Sequence, residues 1–125
     1  MIENEISKEV VNAAFQVHSN LGPGLLESAY EHALLFELQQ AGLLVERQVE
    51  LPLFYKNVKL DCGYRIDLWI EREVILELKT VEKFESIHTA QLLTYLKLTD
   101  NKLGLLINFN SILIKNGIKR VVNNL

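Results

Sequence analysis

Three residues carry the chemistry that the sequence offers most plainly: Asp67, Glu77 and Lys79. They fall in a stretch that reads as two apolar strands, Tyr64 to Ile70 and Val74 to Lys79, closed by the charged turn Glu71 to Glu73. Side chains alternate across a strand, so Glu77 and Lys79 share one face while Leu76 and Leu78 take the other, toward a core. A three-residue turn pairs Ile70 with Val74, and counting back sets Asp67 opposite Glu77 and Arg65 opposite Lys79. Two carboxylates then stand about 5 Å apart at their Cβ atoms. A two-residue turn would put them on opposite faces, because a one-residue slip exchanges the faces of a strand.

Paired carboxylates on neighbouring strands suit a hard divalent cation, Mg²⁺ or Mn²⁺, which prefers oxygen ligands and keeps several waters. Such a cation polarises a phosphoryl oxygen and activates water, and a nearby lysine orients that water or stabilises developing charge. This is a phosphodiester hydrolase in outline. The competing reading is a set of cross-strand ion pairs among Asp67, Glu77, Arg65 and Lys79 on a solvated sheet face. An Asp followed by a distant Glu-x-Lys is too short a pattern to choose between the two.

The elements that must position these residues follow from periodicity. Ile6, Val10, Ala13, Ala14, Val17 and Leu21 form the stripe of a first amphipathic helix, which ends at Leu21-Gly22-Pro23-Gly24. A second helix from about Leu25 to Ala41 carries Leu26, Tyr30, Ala33, Leu34, Leu38 and Ala41 on its apolar side, with Gly42 at its left-handed end and Glu27 in its first turn. Leu44 to Tyr55 alternates like a strand, with Pro52 marking an edge or a bulge, and Lys56-Asn57 turns the chain into Val58 to Cys62. A third helix, about Ile87 to Thr99, is apolar over much of its surface and sets His88, Gln91 and Tyr95 on one face. Leu103 to Asn108 reads as a central strand, and Asn116-Gly117 predicts a type I′ hairpin between Ile112 to Lys115 and Ile118 to Val122. The expected fold is α/β, a mixed central β-sheet flanked by helices, in a single domain covering residues 1–125.

Beside the central three, His88 shares the face of Gln91 and reads either as a structural helix-flank residue or as a phosphate contact. Tyr30 and Tyr95 read either as core residues with a satisfied hydroxyl or as substrate contacts. Trp69 either walls the site or packs beneath a helix. Cys62 falls opposite Asp67 in a regular strand, as a buried inert thiol.

Taken together, these residues resemble the GxxExxY proteins, whose name is spelled by Gly24, Glu27 and Tyr30. The resemblance runs from about Phe15 to Val121 and includes Leu21-Gly22-Pro23-Gly24, Glu77-Leu78-Lys79, His88-x-x-Gln91-x-x-x-Tyr95 and Leu106-Ile107-Asn108-Phe109. That family is a small branch of the PD-(D/E)XK nuclease-like superfamily, similar in motif order to RecB-type nucleases. The resemblance implies a restriction-endonuclease-like core with Asp67 and Glu77 as metal ligands, Glu27 as a further ligand directly or through water, and the Leu78 carbonyl completing the sphere. It implies Lys79 as the catalytic lysine, and Gln91 and Tyr95 as residues that brace the site or touch the nucleic-acid backbone. Ile66 stands where the name motif has proline, a departure that removes no ligand.

Composition bounds the partners. The 125 residues suffice for one core, and thirteen Lys plus Arg against sixteen Asp plus Glu leave a net charge of -3. That sign excludes a surface that grips phosphates everywhere, so DNA or RNA must be met through a local patch or through metal ions. A single cysteine, a polar acidic start and no apolar run near the roughly 20 residues of a membrane span point to a cytoplasmic protein without membrane contact. The alternative function is a non-catalytic interaction or assembly module on the same fold. The apolar content of 49% also fits a homodimer that covers an apolar patch.

Overall fold

The computed structural model describes residues 2–61 and 63–125. Cys62, expected to be a buried thiol, lies outside the described residues. Two helices open the chain, α1 (Ile2–Leu21) and α2 (Glu27–Gln40). The α1 stripe is buried as its spacing predicts, from Ile6 through Val17, whereas Leu21 at its end is half exposed. Gly22, at φ +67°, closes α1 by donating its N–H to the His18 carbonyl at 2.8 Å. Gly42 closes α2 in the same way at φ +85°, a conformation in which glycine carries no Cβ penalty. Leu26, expected on the apolar side, precedes α2 and faces solvent.

Five strands form one mixed sheet in the order β1 (Val45–Glu50), β4 (Arg65–Ile70), β5 (Val74–Lys79), β6 (Leu103–Asn108) and β7 (Ile118–Val122). Only β5 and β6 run parallel, joined across one face by α3 (Ser86–Thr99). Pro52, which has no N–H to donate, separates β1 from a small independent hairpin, β2 (Leu53–Tyr55) and β3 (Val58–Leu60). The hairpin turns through Lys56-Asn57 as expected, both residues at positive φ.

Alternation sorts the sheet between two cores. Leu68, Ile70, Val74, Leu76, Leu78, Leu103, Leu105 and Ile107 pack with α1 and α2, while Trp69, Ile75 and Leu106 pack with Leu92, Tyr95 and Leu96 of α3. At Gly104 α3 lies so close that a Cβ would meet the Leu92 side chain at 2.8 Å. Strands β5 and β6 are thus covered on both faces, which is why they read as continuous apolar runs.

The expected terminal hairpin does not form. Asn116 and Gly117 end a 3₁₀ turn, Ile114–Gly117, and β7 pairs instead with β6, from Leu103 opposite Val122 to Ile107 opposite Ile118. Gly117 lacks the positive φ of a type I′ turn. It is needed there because a Cβ would strike the Asn108 carbonyl and the Ser111 side chain. Burial of Ile114 against the α1–α2 side anchors the turn in that position.

The turn from β4 to β5 has the odd length on which the site depends. Ile70 pairs with Val74, and the Glu73 N–H reaches the Ile70 carbonyl at 2.9 Å. Glu71 and Arg72 both sit at positive φ without being glycine or asparagine, so the turn needs outside support. Leu44 exchanges main-chain and side-chain hydrogen bonds with Glu71, and Arg72 makes a bidentate pair with Glu46 at 2.7 and 2.8 Å. The Arg72 guanidinium also covers the Trp69 ring at 4.3 Å, and its carbonyl accepts from Asn101, which in turn accepts from the Trp69 indole. Trp69 therefore packs beneath α3 and supports the turn.

Candidate active site

Past Leu68 opposite Leu76, the ladder between β4 and β5 gives way to side chains. The Asp67 N–H donates to Glu77 Oε2 at 2.9 Å, and the Leu78 N–H donates to Asp67 Oδ2 at 2.8 Å. Each carboxylate thus caps a main-chain donor of the opposite strand where the two backbones part. The expected neighbourhood of Asp67 and Glu77 is present, built by this reciprocal bonding rather than by a continued ladder. Arg65 and Lys79 are not paired across it.

All three acidic candidates are held above their ordinary pKa. Burial pushes Glu77 up to about 8, with the Asp67 charge as the next cause. Burial likewise raises Asp67, reinforced by Glu31 and opposed by its bonds from Leu78 and Gln48. Glu27, at the rim and still open to water, is raised first by partial burial and then by Asp67. Lys79 lowers the pKa of each of the three, so its charge reaches all of them. The cluster is short of positive charge despite that lysine.

Glu27 takes its place from the loop before it. Tyr30 is fully buried, stacks on Phe109 at 4.6 Å, donates its hydroxyl to the Gly22 carbonyl at 2.5 Å and accepts the Leu25 N–H at 3.1 Å. Of the two roles open to Tyr30, the structure therefore shows the core residue with a satisfied hydroxyl. On α3, Gln91 donates to the Tyr95 hydroxyl at 3.0 Å, and the Tyr95 ring meets Tyr64 edge-on at 6.1 Å. Burial first and the Glu77 charge second push Tyr95 up to about 12. Gln91 and Tyr95, with Tyr64, Leu53, Ile87 and Leu98, line a groove of about 350 Å³. His88 serves its own helix, its Nδ1 accepting the Glu85 N–H at 3.0 Å in the capping box that starts α3.

Sequence reasoning missed Glu31, Arg47 and Gln48. Glu31, one helical turn after Glu27, is 5% exposed and accepts from Arg47 Nε at 2.8 Å and Gln48 Nε2 at 2.6 Å. Gln48 also reaches Asp67 Oδ1 at 3.2 Å. The spacing of four from Glu27 was the available signal for Glu31. Nothing in a polar strand residue announces Arg47 or Gln48.

The donor set matches a hard divalent cation in kind. Mg²⁺ is commonly held by one or two carboxylates with water filling the remaining positions. Asp67 and Glu77 meet that need, and excess negative charge in a buried place is what a cation relieves. Among the described residues no group of three or more His, Cys, Asp or Glu side chains is gathered closely enough to hold a metal, so Glu27 does not join the pair as a third clustered ligand.

A five-stranded mixed sheet between helices, with Asp and Glu-x-Lys on adjoining strands and a Gln-x-x-x-Tyr helix beside them, is the arrangement of a restriction-endonuclease-like fold. The sequence model of the PD-(D/E)XK nuclease superfamily matches residues 4–121, and the chain belongs to that superfamily. The match identifies the superfamily and leaves the GxxExxY branch as a resemblance. No curated protein and no solved structure matches the chain significantly. Among the described residues no helix is long and apolar enough to cross a membrane.

Proposed function

We propose that the protein is a divalent-metal-dependent nuclease that hydrolyses phosphodiester bonds of DNA or RNA, its fold occupying the chain as one domain. The observation that carries this reading is the reciprocal bonding of Asp67 and Glu77 at the parting of β4 and β5, within range of the Lys79 charge. Asp67, Glu77 and the Leu78 carbonyl would hold Mg²⁺ or Mn²⁺, with Glu27 contributing through water. The ion, when bound, supplies Lewis-acid polarisation of the phosphoryl oxygen and a more acidic water.

The chain's own residues do the rest. Lys79 sets its ammonium against charge developing on the phosphate or orients the attacking water. The Gln91–Tyr95 pair, rigid through its mutual hydrogen bond and its packing on Tyr64, fixes the wall along which the nucleic-acid backbone lies. His88, with Nδ1 committed to the helix cap, offers only its other ring nitrogen to a phosphate. Tyr30 acts at one remove, holding the Gly22 to Leu25 loop that delivers Glu27. A nucleic-acid substrate and a single cysteine together fit a cytoplasmic setting.

The test is calorimetric titration with Mn²⁺ of the native protein and of Asp67→Asn, which still accepts from Leu78. Binding by the native chain that is lost in the variant supports the site, and equal binding, or none in either, refutes it.

A second reading, an assembly role on the same fold, draws on exposed apolar residues of the β2–β3 hairpin. Phe54, Tyr55 and Val58 are each about 60% exposed, and surfaces of this kind mark interfaces. Sedimentation that gives a dimer, dispersed by Val58→Lys, with metal binding but no cleavage of either nucleic acid, would favour it.

A further inference from the structure

The ladder between β1 and β4 pairs Val45 to Arg47 with Leu68 to Ile70, and Val49 and Glu50 with Ile66 and Arg65. The count leaves Gln48 facing Asp67 between the two paired runs. Gln48 sits there at φ +53°, inside a strand, in a region where a side chain other than glycine's is strained.

The two strands also exchange faces at this point. Val45 and its partner Ile70 pack on the α1–α2 side, whereas Val49 and its partner Ile66 pack on the α3 side. Regular alternation would keep Val45 with Val49 and Ile66 with Ile70. A glycine at position 48 would serve this reversal without strain. What glutamine adds is its amide, whose Nε2 bridges Glu31 Oε1 at 2.6 Å and Asp67 Oδ1 at 3.2 Å. Glu31 is itself fixed, buried and bonded through its other oxygen to Arg47 at 2.8 Å.

We infer that Gln48 is a positioning residue for Asp67, aimed by Glu31, and that the strained residue is kept in β1 because it delivers this amide to the carboxylate. Asp67 is then held through both oxygens, Oδ1 by Gln48 and Oδ2 by Leu78, which fixes its rotation about the side chain. The consequence for ion binding rests on the reading of Asp67 as a metal ligand. The positioning itself does not.

The experiment compares the native chain with Gln48→Gly and Gln48→Asn. Both substitutes tolerate the left-handed conformation, and neither reaches Asp67 and Glu31 together. The first readout is amide hydrogen exchange at Leu78, referenced to Leu105 and Leu106 of the central strand β6. The second is Mn²⁺ affinity. Expected are a thermal midpoint retained or raised in Gln48→Gly, faster exchange at Leu78 alone, and Mn²⁺ binding weakened roughly 10- to 100-fold, the usual cost of losing a group that orients a ligand. Unchanged Leu78 exchange, or loss of protection spread equally over Leu105 and Leu106, overturns the inference by showing a merely structural residue. Should the native chain bind no Mn²⁺, the metal reading fails while Leu78 exchange still decides the role of Gln48.

Discussion

Replacing Glu77 with glutamine isolates the electrostatic strain at the site. The glutamine carbonyl can still accept the Asp67 N–H, so the substitution removes charge while keeping shape and bond. In the native chain, burial first and Asp67 second carry the Glu77 pKa from 4.5 to about 8. Between those values the folded state binds a proton that the unfolded state has released. Stability from this group is therefore fully present below pH 4.5 and is lost as pH rises through 8. At about 1.4 kcal/mol per tenfold change in proton affinity, the native chain should lose roughly 4 kcal/mol relative to Glu77→Gln between about pH 5 and pH 9. The assay is urea unfolding of both proteins in chelator at about pH 5, 7 and 9, read as the difference between their unfolding free energies. Curves that stay parallel over that range refute the reasoning, because they would mean that Glu77 is no harder to ionise folded than unfolded.

The same pKa has a ligand-linked consequence: Mn²⁺ bound by ionised Glu77 at about pH 7 must displace a proton, and titrations in buffers of different ionisation enthalpy should report close to one released. Tyr30→Phe removes the bonds to Gly22 and Leu25, so unfolding should become easier by about 1 to 2 kcal/mol, with Mn²⁺ affinity falling less than in Asp67→Asn. Gly104→Ala sets a methyl against Leu92 and should cost about 1 to 3 kcal/mol in chemical denaturation while leaving Mn²⁺ affinity unchanged.

The sequence showed the fold where burial imposes a period. The α1 stripe, the continuous apolar β5 and β6 and the glycine ends of α1 and α2 all lie where spacing and turn chemistry put them. The turn at Glu71 and Arg72 obeyed the length that the site requires, although its residues give no sign of it. Its support comes from Leu44, Glu46 and Asn101, distant in sequence, and from the Trp69 ring just before the turn. Asn116-Gly117 misled for the opposite reason. A strong local preference gave way to the anchoring of Ile114 and to the lack of space for a side chain at Gly117. The nearness of Asp67 and Glu77 was legible as the consequence of a three-residue turn, and the structure brings the two together through their side chains. The bridge from Glu31 through Gln48 to Asp67 was not legible, because it depends on a reversal of strand faces for which no periodic pattern exists, although the spacing from Glu27 marked Glu31 itself.

The central claim, that this superfamily fold carries a working metal-dependent site, is tested most directly by cleavage of plasmid, single-stranded DNA and RNA by the native chain and by Lys79→Ala, with and without Mn²⁺. The account predicts cleavage of at least one of these polymers that requires the ion and disappears in Lys79→Ala while its fold and Mn²⁺ affinity persist. Mn²⁺ binding by the native chain with no cleavage of any polymer, or cleavage undiminished in Lys79→Ala, would contradict it.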